Sequence, residues 1–227
     1  MVPKLRHHPL KSGFGVIEIA IAIIILGMVY VFTLQGLTLI SSMRAFVLAQ
    51  QIGQYRSAMQ TYLNEYRALP GDDPGAVGRW PRPEALFDIG KGLISMAGDG
   101  KINGLFDDPA NPLGEQYVAW RDLRYAGYVT GDNTLVGQSA RPETIRDITY
   151  GFAEDNLGLQ QVLCLTRVPG EDAALLDKRL DDGVISTGKL RGTSKWDPVG
   201  ANNHFAKPDE EPYDPEKTYI ICLPYLP

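Results

Sequence analysis

The chain has 227 residues, 44% hydrophobic and 22% charged, with 22 Lys and Arg against 27 Asp and Glu for a net charge of −5. This is enough apolar material for a core, and the acidic balance excludes nucleic-acid binding by bulk charge. The apolar residues are spread unevenly, and a large share lies near the N-terminus.

Residues 14–40 carry one side chain charged at neutral pH, Glu18. At about 1.5 Å rise per residue, a helix of this length covers the roughly 30 Å hydrocarbon thickness of a bilayer. A single membrane-spanning helix is therefore predicted. Lys4, Arg6 and Lys11 precede it, with His7 and His8 among them, and no acid does. The positive-inside bias then puts this end in the cytoplasm and the rest across the membrane. An ordinary secretory signal carries its small-residue cleavage site beyond its apolar core. Here, cutting near Ser41-Ser42 would halve a continuing helical pattern. A carboxylate at membrane depth costs roughly 2.5 kcal/mol or more unless paired, which makes Glu18 a functional candidate. The alternative is that it lies near the interface, hydrated or protonated, without a partner.

Past Ile40 the pattern turns amphipathic. Leu48, Ile52, Tyr55, Met59, Tyr62 and Tyr66 recur at steps of four and three, with Arg56, Gln60, Asn64 and Arg67 off the stripe. One helix over 14–67 is expected, stopped by Leu69-Pro70-Gly71, with its outer half packed on a head spanning 68–227. Tight turns follow through Asp72-Asp73-Pro74-Gly75, then a Pro-rich linker at Trp80-Pro81-Arg82-Pro83. The stretch 98–104, Gly-Asp-Gly-Lys-Ile-Asn-Gly, offers oxygen ligands at Asp99, Asn103 and, beyond it, Asp107, in partial likeness to a calcium loop. Lys101 occupies a usual ligand position, however, and Ala110 stands where a closing Glu is expected. A Gly/Asp-rich turn without metal is the first reading, and calcium the second.

Residues 115–126 read as a helix with Tyr117, Trp120 and Leu123 inward, ended by Gly127. Ile148, Tyr150 and Phe152 alternate, and Asp155-Asn156-Leu157-Gly158 offers a turn. Leu159, Gln161 and Leu163 then lead into Cys164, completing an antiparallel hairpin. A second head helix over 171–180 opens at Pro169-Gly170 and closes near Asp181-Asp182-Gly183. Residues 193–217 lack periodicity and read as a long surface loop, and 218–223 as a final strand. The fold class is α+β, a long N-terminal membrane-spanning helix packed on a small antiparallel-sheet head. Cys164 and Cys222 are the only cysteines and fall in the compartment where disulfides persist, so one bridge is expected, against the alternative of two buried free thiols.

Little supports catalysis. His204 is the one histidine of the head and lies in the predicted loop, which disfavours a His-based triad or a His-ligated zinc. The acidic pairs Asp72-Asp73, Asp107-Asp108, Asp181-Asp182 and Glu210-Glu211 are neighbours in sequence, expected to point apart or into water. Glycosidase chemistry instead needs carboxyl groups about 5–10 Å apart across a cleft. Gly98-Asp99-Gly100 lacks the strand and later glycine of a dinucleotide fingerprint. No catalytic residue is expected, and Arg121, Arg124 and Arg141 are candidates for a local basic patch.

The segment Lys11-Ser12-Gly13-Phe14-Gly15-Val16-Ile17-Glu18, set between a basic leader and an uninterrupted apolar run, resembles the processing site of type IV prepilins and type II secretion pseudopilins. The resemblance implies cleavage between Gly13 and Phe14 by a prepilin peptidase, and methylation of the new N-terminus. It also implies an assembly role for Glu18, the fifth mature residue, with the freed amine of Phe14 as the cation and a neighbouring subunit as the site of contact. Loss of 1–13 removes Lys4, Arg6 and Lys11, leaving 19 basic against 27 acidic residues and a net charge of −8.

Residues 66–76, which include Leu69-Pro70-Gly71-Asp72, are similar to the segment after the long helix in a subset of prepilin-like proteins. The helix at 171–180, with its closing loop through Thr187-Gly188, looks like the same subset. In pilins a disulfide-closed C-terminal region decorates the exposed surface, which makes 193–217 the candidate for whatever is specific to this protein. The implied function is a structural subunit, major or minor pilin or pseudopilin, of a type IV pilus or type II secretion-like filament. Its implied partners are other pilin or pseudopilin subunits and an inner-membrane assembly platform. Its implied place is the bacterial inner membrane, then a filament in the periplasm or at the cell surface. No cofactor is implied beyond the calcium that some pseudopilins hold, and nucleic acid is not an expected partner. Many major pilins carry a proline within the membrane helix; here there is none, and only Gly27 and Gly36 loosen the run, so the choice among these roles stays open. A filament-tip adhesin is compatible with this reading; the alternative outside the family is a signal-anchored envelope binding protein or enzyme.

Overall fold

The computed structural model describes residues 15–80, 98–106, 111–142, 147–195 and 207–226, with the backbone alone at 34–39. Its compact units are Met1–Ile40 and Ser41–Pro227, so the division falls inside the first helix, α1 (Val16–Tyr66). In the first unit, Val16–Thr33 has a mean hydropathy of 2.5 and none of it is buried. It is long and apolar enough to cross a membrane.

The second unit is α+β. Its helices after α1 are α2 (Ala76–Arg79), α3 (Glu115–Tyr125) and α4 (Gly170–Leu180). Strands β1 (Tyr150–Asn156), β2 (Leu159–Pro169), β3 (Arg191–Thr193) and β4 (Thr218–Pro224) form one sheet in the order β1-β2-β4-β3, every neighbour antiparallel. The predicted stripe of α1 is the floor of the core: Leu48, Ile52, Met59 and Tyr62 are buried and Tyr55 and Tyr66 half-buried. Tyr55 meets Trp120 and Tyr150 edge-on at 5.0 and 4.9 Å, and Trp120 stacks on Phe152 at 4.3 Å. Such pairs add to the area they bury.

The pleat sorts the sheet residues onto two faces. Tyr150, Phe152, Leu163, Leu165, Ile221 and Leu223 join α1, α3 and α4 in the main core. Ala153, Val162, Cys164, Ile220 and Cys222 face a second cluster with Phe106 and Leu157. Gly151 makes that second cluster possible: a Cβ there would lie 2.5 Å from the Phe106 ring. Burying both faces is why these strands alternate weakly in sequence.

The hairpin turns on Leu157 and Gly158, whose φ values of 52° and 72° suit the type I′ geometry that matches strand twist. β2 has two residues of positive φ, one of them at a bulge. Gln161 (φ 52°) turns its side-chain oxygen to the Ile102 N–H and its carbonyl to the Tyr225 N–H, while Arg167 (φ 56°) marks the register shift between Leu165 and Val168.

Three expectations change. α1 stops at Tyr66 because Arg67 turns left-handed (φ 58°), its N–H still bonded to the Leu63 carbonyl, so the chain leaves the helix before Pro70 is reached. Thr193 belongs to β3, which lacks any sequence periodicity and exists through its pairing with β4. The predicted loop 193–217 is also tied down where it is described: the Asp209 carboxylate accepts Ser194 N–H, Ser194 Oγ–H and Thr193 Oγ1–H at 2.7–2.9 Å. Residues 196–206 and the Pro81-Arg82-Pro83 linker lie outside the described residues.

Candidate functional site

The N-terminal site is built on the first turn of α1. Glu18 is the third helical residue and its carboxylate accepts the Gly15 N–H at 3.0 Å. This is half of a capping box, with the acidic side chain reaching back to an amide that has no carbonyl partner inside the helix. It also sets negative charge at the positive end of the helix dipole. Glu18 thus has an intrachain partner that the sequence reading did not name, although a Glu three residues past a helix start is the known signal for it. Gly13 and Phe14, the expected processing pair, lie outside the described residues. Further along, Thr33 turns its hydroxyl onto the Val29 carbonyl at 2.5 Å, which hides a polar group inside the apolar stretch.

In the head, Cys164 and Cys222 are facing residues of β2 and β4 and are joined, so the free-thiol alternative falls. The bridge pins β4 to the sheet across a sequence separation of 58.

The Gly/Asp-rich turn, with calcium as its second reading, is held by hydrogen bonds. Asp99 accepts Lys101 N–H at 3.0 Å and the Asn103 side-chain N–H at 3.2 Å, and the Asn103 backbone N–H goes to the buried Glu115 carboxylate at 2.6 Å. Asp99 and Asn103 are therefore brought together as acceptor and donor, while Asp107 lies outside the described residues. The Gly98, Asp99 and Gly100 amides converge on the buried Asp72 carboxylate at 2.7–3.2 Å.

Of the two outcomes expected for the first acidic pair, pointing apart or into water, the second fails: Asp72 and Asp73 are 1% and 3% exposed and take separate partners. Asp73 accepts Tyr62 O–H and Gly75 N–H at 2.8 Å and pairs with Arg79, whose guanidinium also covers the Tyr66 ring. Buried carboxylates persist when donors replace the lost water.

Another carboxylate group was missed. Asp177, Asp181 and Asp182 bring ligand atoms within 4.8 Å of one another. Asp177 is fully buried, which raises its pKa although Tyr213 O–H and Gly183 N–H both donate to it. Its role here is to dock residue 213 on α4.

Of the three arginines that are candidates for a basic patch, two share one site. Arg121 is 2% exposed and donates to the Asn133 carbonyl at 3.0 Å, whereas Arg124 and Arg141, the latter also covering the Phe106 ring, both line an open cleft. His204 is outside the described residues.

No family model, curated protein or solved structure matches the chain.

Proposed function

We propose that this chain is a pilin-like subunit of a type IV pilus or type II secretion-like filament, anchored by its N-terminal helix and processed between Gly13 and Phe14. The observation that carries the proposal is the make-up of α1. In its Val16–Thr33 stretch Glu18 is the one charged side chain, none of the stretch is buried, and the Glu18 carboxylate sits in the first turn. Together with the resemblance of residues 11–18, this supports the assignment, and the bridged head fits an oxidising compartment.

In this reading the carboxylate of the lone subunit holds the Gly15 amide. Leader removal frees the Phe14 amine, and during assembly that of a neighbouring subunit becomes a stronger partner, because opposite charges attract strongly where water is scarce. The acid is kept at membrane depth by a local hydrogen bond until an ion pair replaces it.

Replacing Gly13 with Val and, separately, Glu18 with Gln tests this in cells that contain the peptidase. Gly13→Val should retain the leader by mass spectrometry. Glu18→Gln should be cleaved normally yet lose most of its sheared surface filament. A wild-type chain that keeps its leader in such cells would sink the proposal.

A further inference from the structure

Between residues 51–61 of α1 and the loop that follows α3 lies an open cleft of about 960 Å³. This is within the size range of small-ligand sites. Gln51, Gln54, Ser57 and Thr61 line it from α1, and Ser139, Arg124 and Arg141 line it from the segments beyond. These groups favour a hydrophilic occupant.

Arg124 is held but not neutralised. Its Nε–H reaches the Thr130 carbonyl at 3.5 Å, and Nη1 is buried with no acceptor. Gly131 adopts φ +129°, and a Cβ there would stand 2.7 Å from Nε, so a bare backbone is what lets the loop wrap the guanidinium. The nearest acid on that loop, Asp132, is exposed and turns its carboxylate to Thr134 N–H and Oγ1–H at 2.8 and 2.7 Å. Among the described residues Arg124 has no ion pair. Burial lowers its pKa, with Tyr55 and Asp132 acting against that. A cation left part-desolvated without a counter-charge is unfavourable unless an anion completes it. Arginine suits carboxylates in particular, because its donors match their geometry.

We propose that this cleft is a carboxylate-binding site with Arg124 as its anchor. The neutral amides and hydroxyls of the α1 wall would take the polar remainder of the ligand. This assignment does not rest on the filament reading. The carboxylate belongs either to a free small acid or to an Asp or Glu side chain of a second copy of this acidic chain, and one experiment separates the two.

The full chain in detergent micelles is titrated calorimetrically with succinate, with sodium chloride at equal ionic strength as the control. Its self-association is followed by sedimentation at low salt, with and without succinate. Wild type should bind succinate saturably. Arg124→Gln should weaken that binding about tenfold or more, the usual consequence of losing a charged hydrogen bond, and Arg124→Lys should weaken it less. Leu135→Glu places a carboxylate at the cleft from a residue 38% exposed, outside the core, and should block succinate without unfolding the head. Succinate binding with no Arg124-dependent self-association assigns the site to a free acid. Self-association that succinate and Arg124→Gln both weaken assigns it to a second copy. The proposal is overturned if succinate binds Arg124→Gln and Leu135→Glu as well as wild type. It is equally overturned if wild type neither binds succinate nor self-associates through Arg124.

Discussion

The two stretches of α1 are similar in helical form and opposite in environment. Ile24 is 57% exposed and Ile52 1%, although each is an isoleucine in the same helix. The difference lies in what surrounds each turn. Residues 16–33 are apolar on every side, so no face is distinguished and a lipid-like solvent suits all of them. Residues 48–66 keep their apolar side chains at steps of three and four, so one face meets the sheet and α3. Total hydrophobicity marks the first stretch and its angular arrangement the second.

The largest test of this division is the bridge. Replacing Cys164 and Cys222 with Ala should lower the unfolding free energy of the head by about 4 kcal/mol from loop-closure entropy, read by denaturant titration of tryptophan fluorescence. The helicity of 16–33 in micelles should survive that unfolding. If both parts melt together, the division is wrong. Next comes a matched pair. Ile52→Ala should cost the head about 3 kcal/mol by opening a cavity, while Ile24→Ala should leave head stability unchanged. Equal effects would erase the contrast.

The smallest effect is a pH slope. Asp177 has its pKa raised above the ordinary carboxylate value chiefly by burial, with Asp182 and Asp181 adding to the shift and Tyr213 and Gly183 opposing it. The folded state therefore holds this proton more tightly than the unfolded state. Its stabilisation is complete below about pH 4 and is lost as pH rises through the folded-state pKa. Asp177→Asn should gain stability relative to wild type across that window, measured by thermal unfolding at stepped pH. A constant difference at every pH would refute the assignment.

Most of this architecture was legible in the sequence. The run at 14–40, the stripe at 48–66, the Trp120 helix, the Asp155-to-Gly158 turn and the 171–180 helix all carry strong local signals. β3 was not legible, because three residues, Arg-Gly-Thr, have no period to read and owe their extension to β4. α2 is a single turn and equally silent. At the candidate sites, Glu18 was legible as an exception inside an apolar run. The structural aspartates were not. Asp72, Asp73 and Asp177 look like surface residues in sequence because the amides and hydroxyls that replace their water come from distant positions: Gly98 and Gly100 for Asp72, Tyr213 for Asp177. The Arg124 cleft was hidden for the same reason, since only the fold brings Arg124 and Arg141 to one cleft and buries Arg121.

The strand order also constrains the timing of folding. β4 lies between β2 and β3, yet it is the last of the four to be made. Until residues 218–224 emerge, β2 lacks one neighbour and β3 lacks its only one, so the early chain can close no more than the β1-β2 hairpin. Pairings between segments so far apart are slow to form, because the intervening chain must be ordered first. During synthesis the unfinished head thus presents an open strand edge, and the last strand seals it.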